Sequence, residues 1–205
     1  MTRLVHRLLA LWATAMLLSG CAVPRLIDSE VESYPGSTPA VAGASYRFER
    51  LPSQQAFAER QAQLEALAQA ALGHVGLVRN DAQAQYSVQV TVQIAQMPSP
   101  HAPLPFTPRQ IRRPPMVAAD GSHFFSPLLL LPEPAWFSHT VRFLMRDTNT
   151  AQVAYESTAR FDGPWGDSGK LLPVIMDAAL SNYPNPPPGV RKVIIELPAD
   201  GPGAR

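Results

Sequence analysis

One cysteine, Cys21, stands in a chain of 205 residues, and that scarcity removes a branch of chemistry. A lone thiol closes no disulfide within the chain, and it supplies no cysteine cluster for zinc or an iron–sulfur centre. An excess of either charge is missing too. Lys+Arg number 17 against 16 Asp+Glu, and Arg3 and Arg7 fall within residues 1–20, so 17 − 2 = 15 bases face 16 acids beyond them. Such a balance gives no field of the kind that gathers nucleic acid or an anionic bilayer. The sequence has no glycine-rich phosphate loop. The histidines beyond Cys21, namely His74, His101, His123 and His139, are too scattered to pair on one helix turn. No metal and no cofactor is expected. The apolar stretch Leu8 to Leu18, broken by Thr14, is about half the ~20 residues that a spanning helix requires.

What the start of the chain does contain is a secretory signal. Arg3 and Arg7 supply a basic opening, Leu8 to Leu18 an apolar stretch, and Ser19-Gly20 the small residues of a cleavage site. Leu18-Ser19-Gly20-Cys21 resembles a bacterial lipobox, in which the cysteine sulfur is diacylated, the peptide is cut ahead of it, and the new amino group is usually acylated. Each buried methylene is worth ~0.8 kcal/mol and one chain holds only weakly, so two or three acyl chains on Cys21 make a stable membrane anchor. Ala22 follows, not the aspartate typical of inner-membrane retention. The expected location is the outer membrane of a Gram-negative bacterium, with the body facing the periplasm.

The expected organisation is a signal peptide over 1–20, a lipidated tether over 21–44, a domain over 45–197 and a frayed tail over 198–205. Within the tether, Leu26 to Tyr34 reads as linker or as a short edge strand. Ser45 to Leu51 alternates as a strand, with Tyr46 and Phe48 on one side. Pro52-Ser53 opens a helix in which Ser53 caps free N–H groups, Phe57, Leu64, Leu67, Ala68 and Ala71 share a face, and Gly73 closes the C-terminus. Gln85 to Ala95 has period two, with Tyr86, Val88, Val90, Val92 and Ile94 on the apolar side. His139 to Arg146 and Val153 to Phe161 alternate likewise around the turn residues Asp147-Thr148-Asn149-Thr150, so they read as a hairpin that sets Arg142 opposite Glu156. A second helix follows, capped by Asp167 or Ser168, with Pro173 in its first turn and an apolar stripe of Leu172, Ile175, Met176, Ala179 and Leu180. Val190 to Leu197 makes the last strand. The sum is an α+β fold: a two-layer sandwich, mainly an antiparallel sheet of about five or six strands with two helices on one face.

Between the strands lies a proline-rich insert, residues 97–136, with about half of the chain's 22 prolines. A segment this long without periodicity is either functional or disordered. Its leucine run and aromatics cover the sheet or meet a partner. Phe124, Phe125, Leu129, Leu130 and Trp136, with Trp165 beyond the insert, are the candidate partner surface.

Taken together, Ser45-Tyr46-Arg47-Phe48-Glu49-Arg50 leading into Pro52-Ser53-Gln54-Gln55, then Gly76-Leu77-Val78, the strand Tyr86 to Ile94, the hairpin Arg146-Asp147-Thr148 with Val153-Ala154-Tyr155-Glu156, and the closing Tyr183-Pro184 resemble the envelope lipoproteins of domain-of-unknown-function family 4136. The likeness spans about Leu26 to Leu197 apart from the insert. It implies an α+β domain on a lipid anchor, with no agreed activity and no catalytic residues.

One fragment invites a catalytic reading. Gly166-Asp167-Ser168-Gly169 is similar to the nucleophile segment of trypsin-like proteases, but Lys170 stands where a second glycine is needed and no base or orienting acid is identifiable. A helix-capping turn explains it better. The expected function is therefore a non-catalytic binding or envelope-assembly module that meets an envelope protein, a lipid or peptidoglycan. An accessory lipoprotein of an envelope transport system is the alternative, and a periplasmic hydrolase a weaker one. Cys21→Ala is expected to leave an unacylated precursor; continued incorporation of radiolabelled palmitate would overturn the anchor.

Overall fold

The computed structural model describes residues 25–36, 40–100, 116–117, 123–124 and 135–197. In chain order these form β1 (Arg25–Pro35), β2 (Ser45–Phe48), α1 (Pro52–Gln55), α2 (Ala58–His74), β3 (Val78–Arg79), β4 (Tyr86–Met97), β5 (Met116–Val117), β6 (His123–Phe124), β7 (Trp136–Asp147), β8 (Val153–Gly163), α3 (Ser168–Ala179) and β9 (Arg191–Leu197). Seven strands make one open sheet in the order β3-β2-β4-β7-β8-β1-β9, and β5 and β6 pair separately. Strand β2 runs parallel to β3 and β4; the other neighbours in the sheet are antiparallel. The fold is α+β in two layers, with one more strand in the main sheet than the alternation alone predicts.

Period-two patterning builds the buried face. Tyr86, Val88 and Val90 of β4, Val141, Phe143 and Met145 of β7, Tyr155, Ala159 and Phe161 of β8, and Ile27 and Val31 of β1 are all buried. Helix α3 lies across β1, β7, β8 and β9 and also packs on α2. Its expected stripe is buried, and Leu171, Val174 and Ala178 are buried with it. Asp167 occupies the N-cap, which places Pro173 inside the helix and not in its first turn. A proline there forfeits one intrahelical hydrogen bond; the apolar contacts on nearly every side of α3 offset that loss.

Three local expectations are corrected. Strand β1 is interior, paired to β8 on one side and to β9 on the other. Its buried alternation is Ile27, Ser29, Val31, Ser33, so two serines dilute the apolar signal. Ser33 Oγ sits 2.8 Å from Ser157 Oγ, and Ser157 in turn donates to the Ala179 carbonyl of α3, which is why a hydroxyl is tolerated there.

The first helix is broken. Leu51 is the N-cap of α1, and the Gln54 side chain accepts its N–H at 2.8 Å; Ser53 does not cap. Phe57, with φ −122° and ψ 48°, interrupts the turn before α2 begins. The interruption rotates the stripe, so α2 buries Gln61, Glu65, Ala68, Ala71 and Leu72 and leaves Phe57 68% exposed. Glu65 is tolerated because Arg50 donates to both its oxygens, at 2.6 and 2.7 Å.

Gly73 lies within α2, and the closing glycine is Gly76. Its φ of +85°, with Gly76 N–H to Gly73 O and Leu77 N–H to Leu72 O both at 3.0 Å, makes a Schellman end.

Phe143 is fully buried at the centre of the sheet. Phe143→Ala is expected to cost about 3–5 kcal/mol in urea denaturation, whereas Phe57→Ala stays within about 0.5 kcal/mol.

Candidate functional site

The half of each strand that faces away from α2 and α3 is polar. Gln89, Thr91 and Gln93 of β4, Thr140, Arg142, Leu144 and Arg146 of β7, and Glu156 and Thr158 of β8 line a concavity of about 650 Å³. The ladder positions them: Gln89 lies opposite Leu144, Thr91 opposite Arg142 and Gln93 opposite Thr140. Arg142 lies opposite Thr158 and reaches diagonally to Glu156, with Nη2 2.6 Å from Oε1. The hairpin expectation thus brings the right pair together, one diagonal step off. Both side chains are accessible, so the pair is worth well under ~1 kcal/mol and remains available to exchange for a ligand.

The turn that sets this register is held by Asp147. Its Oδ1 accepts the N–H groups of Asn149 and Thr150, each at 2.9 Å, and these bonds hold its carboxyl below the usual range. Further along the same face, Asp28, Glu30, Arg160, Asp162 and Lys192 line a smaller hollow of about 110 Å³. There Lys192 Nζ lies 3.0 Å from Asp28 and Arg160 Nη2 2.9 Å from Asp162. The face therefore carries both signs in pairs, and among its described residues it has no cluster of His, Cys or carboxylates able to hold a metal.

The fold also brings together two residues that are 29 positions apart. Ser168 Oγ, at the start of α3, lies 3.5 Å from His139 Nε2 on β7. His139 is fully buried, its ring 6.4 Å from that of Phe137 and 6.3 Å from that of Phe161. Burial pushes its pKa down, opposed by the charge of Asp162. Its Nδ1 has no hydrogen-bond partner among the described residues. Asp162 does not supply one, because it shares the polar face with Ser138, directly opposite it, while His139 points to the other side. Asp162 bonds Arg160 instead. A base at the outer limit of hydrogen bonding, with no acid to orient it, lacks the geometry of a triad.

Of the candidate partner surface, Trp165 is half buried, stacked on Phe161 at 5.8 Å with the Arg25 guanidinium 5.6 Å above its ring. Trp136 opens β7 opposite Met97. Phe124 is described only as β6 backbone, paired to Met116. Leu18, Ser19, Gly20, Cys21, Phe125, Leu129 and Leu130 lie outside the described residues. His74 sits 2.9 Å from Asp177 and joins α2 to α3. The concavity itself was legible as the polar half of three alternating strands; the His139–Ser168 contact had no signal in sequence.

Because the folded His139 has a lowered pKa, the unfolded chain takes up a proton near 6.5 that the folded one refuses. Its contribution is full above that pH and is lost as pH falls through the lower folded value. Urea midpoints measured above pH 7 and near pH 5 are expected to fall toward acid, and His139→Phe to flatten that slope.

No family model and no curated protein matches this chain. Among solved structures, the PelC dodecamer of Paraburkholderia phytofirmans aligns in two crystal forms at 12% and 13% identity. The TM-scores are 0.42 and 0.41, over 75% of this chain and 95% and 96% of that chain. A PDZ domain protein from Parabacteroides distasonis aligns at 13% identity with a TM-score of 0.49, over 89% of this chain and 41% of that one.

Proposed function

We propose that this chain is a lipid-anchored, non-catalytic binding module on the periplasmic side of the outer membrane, with an envelope protein as its partner. The observation that carries the reading is the sheet face opposite the helices, a concavity of about 650 Å³ whose described lining is amides, hydroxyls, two guanidiniums, a carboxylate and one leucine. Such a lining satisfies polar backbone and side-chain groups and offers little to an acyl chain. Among the described residues its lining holds no aromatic ring, a composition that suits protein better than the stacked sugars of peptidoglycan. The signal and Cys21 supply the tether, and the resemblance to family 4136 supports the same placement. An accessory role in an envelope transport system is the same chemistry with a machine component as the partner.

The test is photocrosslinking in cells from Thr140 and Thr158. A discrete adduct that disappears when Arg142 is reversed to Glu is expected. Uniform, non-specific labelling, or an adduct indifferent to Arg142→Glu, would remove the concavity from consideration. Recovery of the protein in the soluble periplasmic fraction would remove the anchor.

A further inference from the structure

Strand β4 loses a neighbour half-way along. β2 pairs with it only through Tyr46, Arg47 and Phe48, opposite Tyr86, Ser87 and Val88, after which the chain turns into α1. The last contact fixes a direction: Glu49 N–H donates to the Val88 carbonyl at 2.9 Å, so even-numbered residues of β4 turn their backbone polar groups away from β7. Two residues on, the Val90 carbonyl is met by side chains instead of a strand, Gln54 Nε2 at 3.0 Å and Gln61 Nε2 at 3.5 Å. The β4–β7 ladder continues unbroken to Met97 opposite Trp136. By the same alternation, Val92, Ile94 and Gln96 present N–H and C=O to the open side, and among the described residues no strand pairs with them.

That edge is bordered by a groove. Phe57, Arg60, Gln61 and Leu64 of the α1–α2 segment face Thr91 and Val92 across a hollow of about 170 Å³. Phe57 is 68% exposed and Ile94 48% exposed. An unpaired edge beside accessible apolar side chains is a liability that folds normally block. Gln54 of α1 and Gln61 of α2 block it only as far as Val90. Arg60 is exposed and takes part in no ion pair found among the described residues.

We infer that the β4 edge from Val92 to Gln96 docks an extended peptide segment of a partner protein, which adds to the sheet as a further strand. The backbone row matches an extended strand. An apolar side chain of that segment fills the groove against Phe57 and Leu64, and a carboxylate of the segment meets Arg60. A second copy of this chain is the poorer occupant, because its own β4 edge, Val92-Gln93-Ile94-Ala95-Gln96, carries no acid for Arg60. The site adjoins the concavity, sharing Thr91 in its lining and Gln93 on its strand, but it uses the backbone edge and the groove beneath it, and its occupancy depends on neither the concavity's ligand nor the acyl chains.

The experiment selects a displayed library of random linear peptides, about ten residues long, on the full lipoprotein in detergent. Individual winners are then assayed by affinity and by amide hydrogen exchange. Expected are peptides that alternate apolar residues and carry Asp or Glu, and that slow exchange at the Val92, Ile94 and Gln96 amides. Their affinity should fall about tenfold or more with Phe57→Ala and with Arg60→Glu, while the urea midpoint of each variant stays that of the parent. N-methylation of alternate peptide amides should abolish binding. Selection of no peptide, or of peptides indifferent to both substitutions, overturns the inference. So does protection of those three amides in the free protein: concentration-dependent protection would show a second copy on the edge, and concentration-independent protection the chain's own segment. Crosslinks from Thr140 and Thr158 report on the concavity alone, so failure at one surface is distinguishable from failure at the other.

Discussion

The packing of α3 across β7, β8, β1 and β9 is the contact on which the remaining architecture rests. These four strands include the first and the last of the described chain, and only a helix that is apolar on nearly every side can cover them while also meeting α2. Leu171, Leu172, Val174, Ile175, Met176 and Leu180 are all buried in that position, each worth about 1.5–3 kcal/mol for a large aliphatic side chain removed from water. Once α3 is seated, one face of the sheet is closed, and no described helix lies on the other. The polar concavity and the apolar core are therefore two consequences of one alternation.

Polar seams fasten this layer and fix its register. Ser157 joins α3 to β1 through the Ala179 carbonyl and Ser33. Arg191 of β9 donates to the Ser181 carbonyl at 2.8 Å and to Ser33 Oγ at 3.2 Å, tying the edge strand to the end of the helix. At the opposite side of the sheet Arg50 clamps Glu65. Buried hydroxyls and carboxylates stabilise only when every partner is in place, so these seams favour one register of β1 over its neighbours. The coverage is weaker over β4, where α2 makes few contacts. There the described second layer gives out before the strand does, leaving Ile94 exposed and the edge beyond Val90 without a described neighbour.

The molecule consequently offers two surfaces of different character. The outer face has side-chain donors and acceptors in register, with charges already paired. The β4 edge has backbone groups in a row beside an apolar groove and the Arg60 guanidinium, which pairs with no acid among the described residues. An anchor at Cys21, a few residues ahead of β1, would hold both near the bilayer.

Much was fixed by composition and period. The single cysteine, the balanced charge and the short apolar stretch limited the chemistry; the alternations in β4, β7 and β8, and the turn at Asp147, gave the hairpin and the two faces of the sheet. These signals are local, and a strand with a regular buried side announces itself wherever it lies. Tertiary structure alone decided the rest. Ser33 looks like linker until Ser157 and α3 arrive across more than a hundred residues of sequence. Phe57 looks like core until a break in the helix turns it outward, and His139 meets Ser168 only because β7 and α3 cross. The interior place of β1, the open edge of β4 and the partners of the buried polar groups depend on contacts between distant segments, and no window of neighbouring residues contains them.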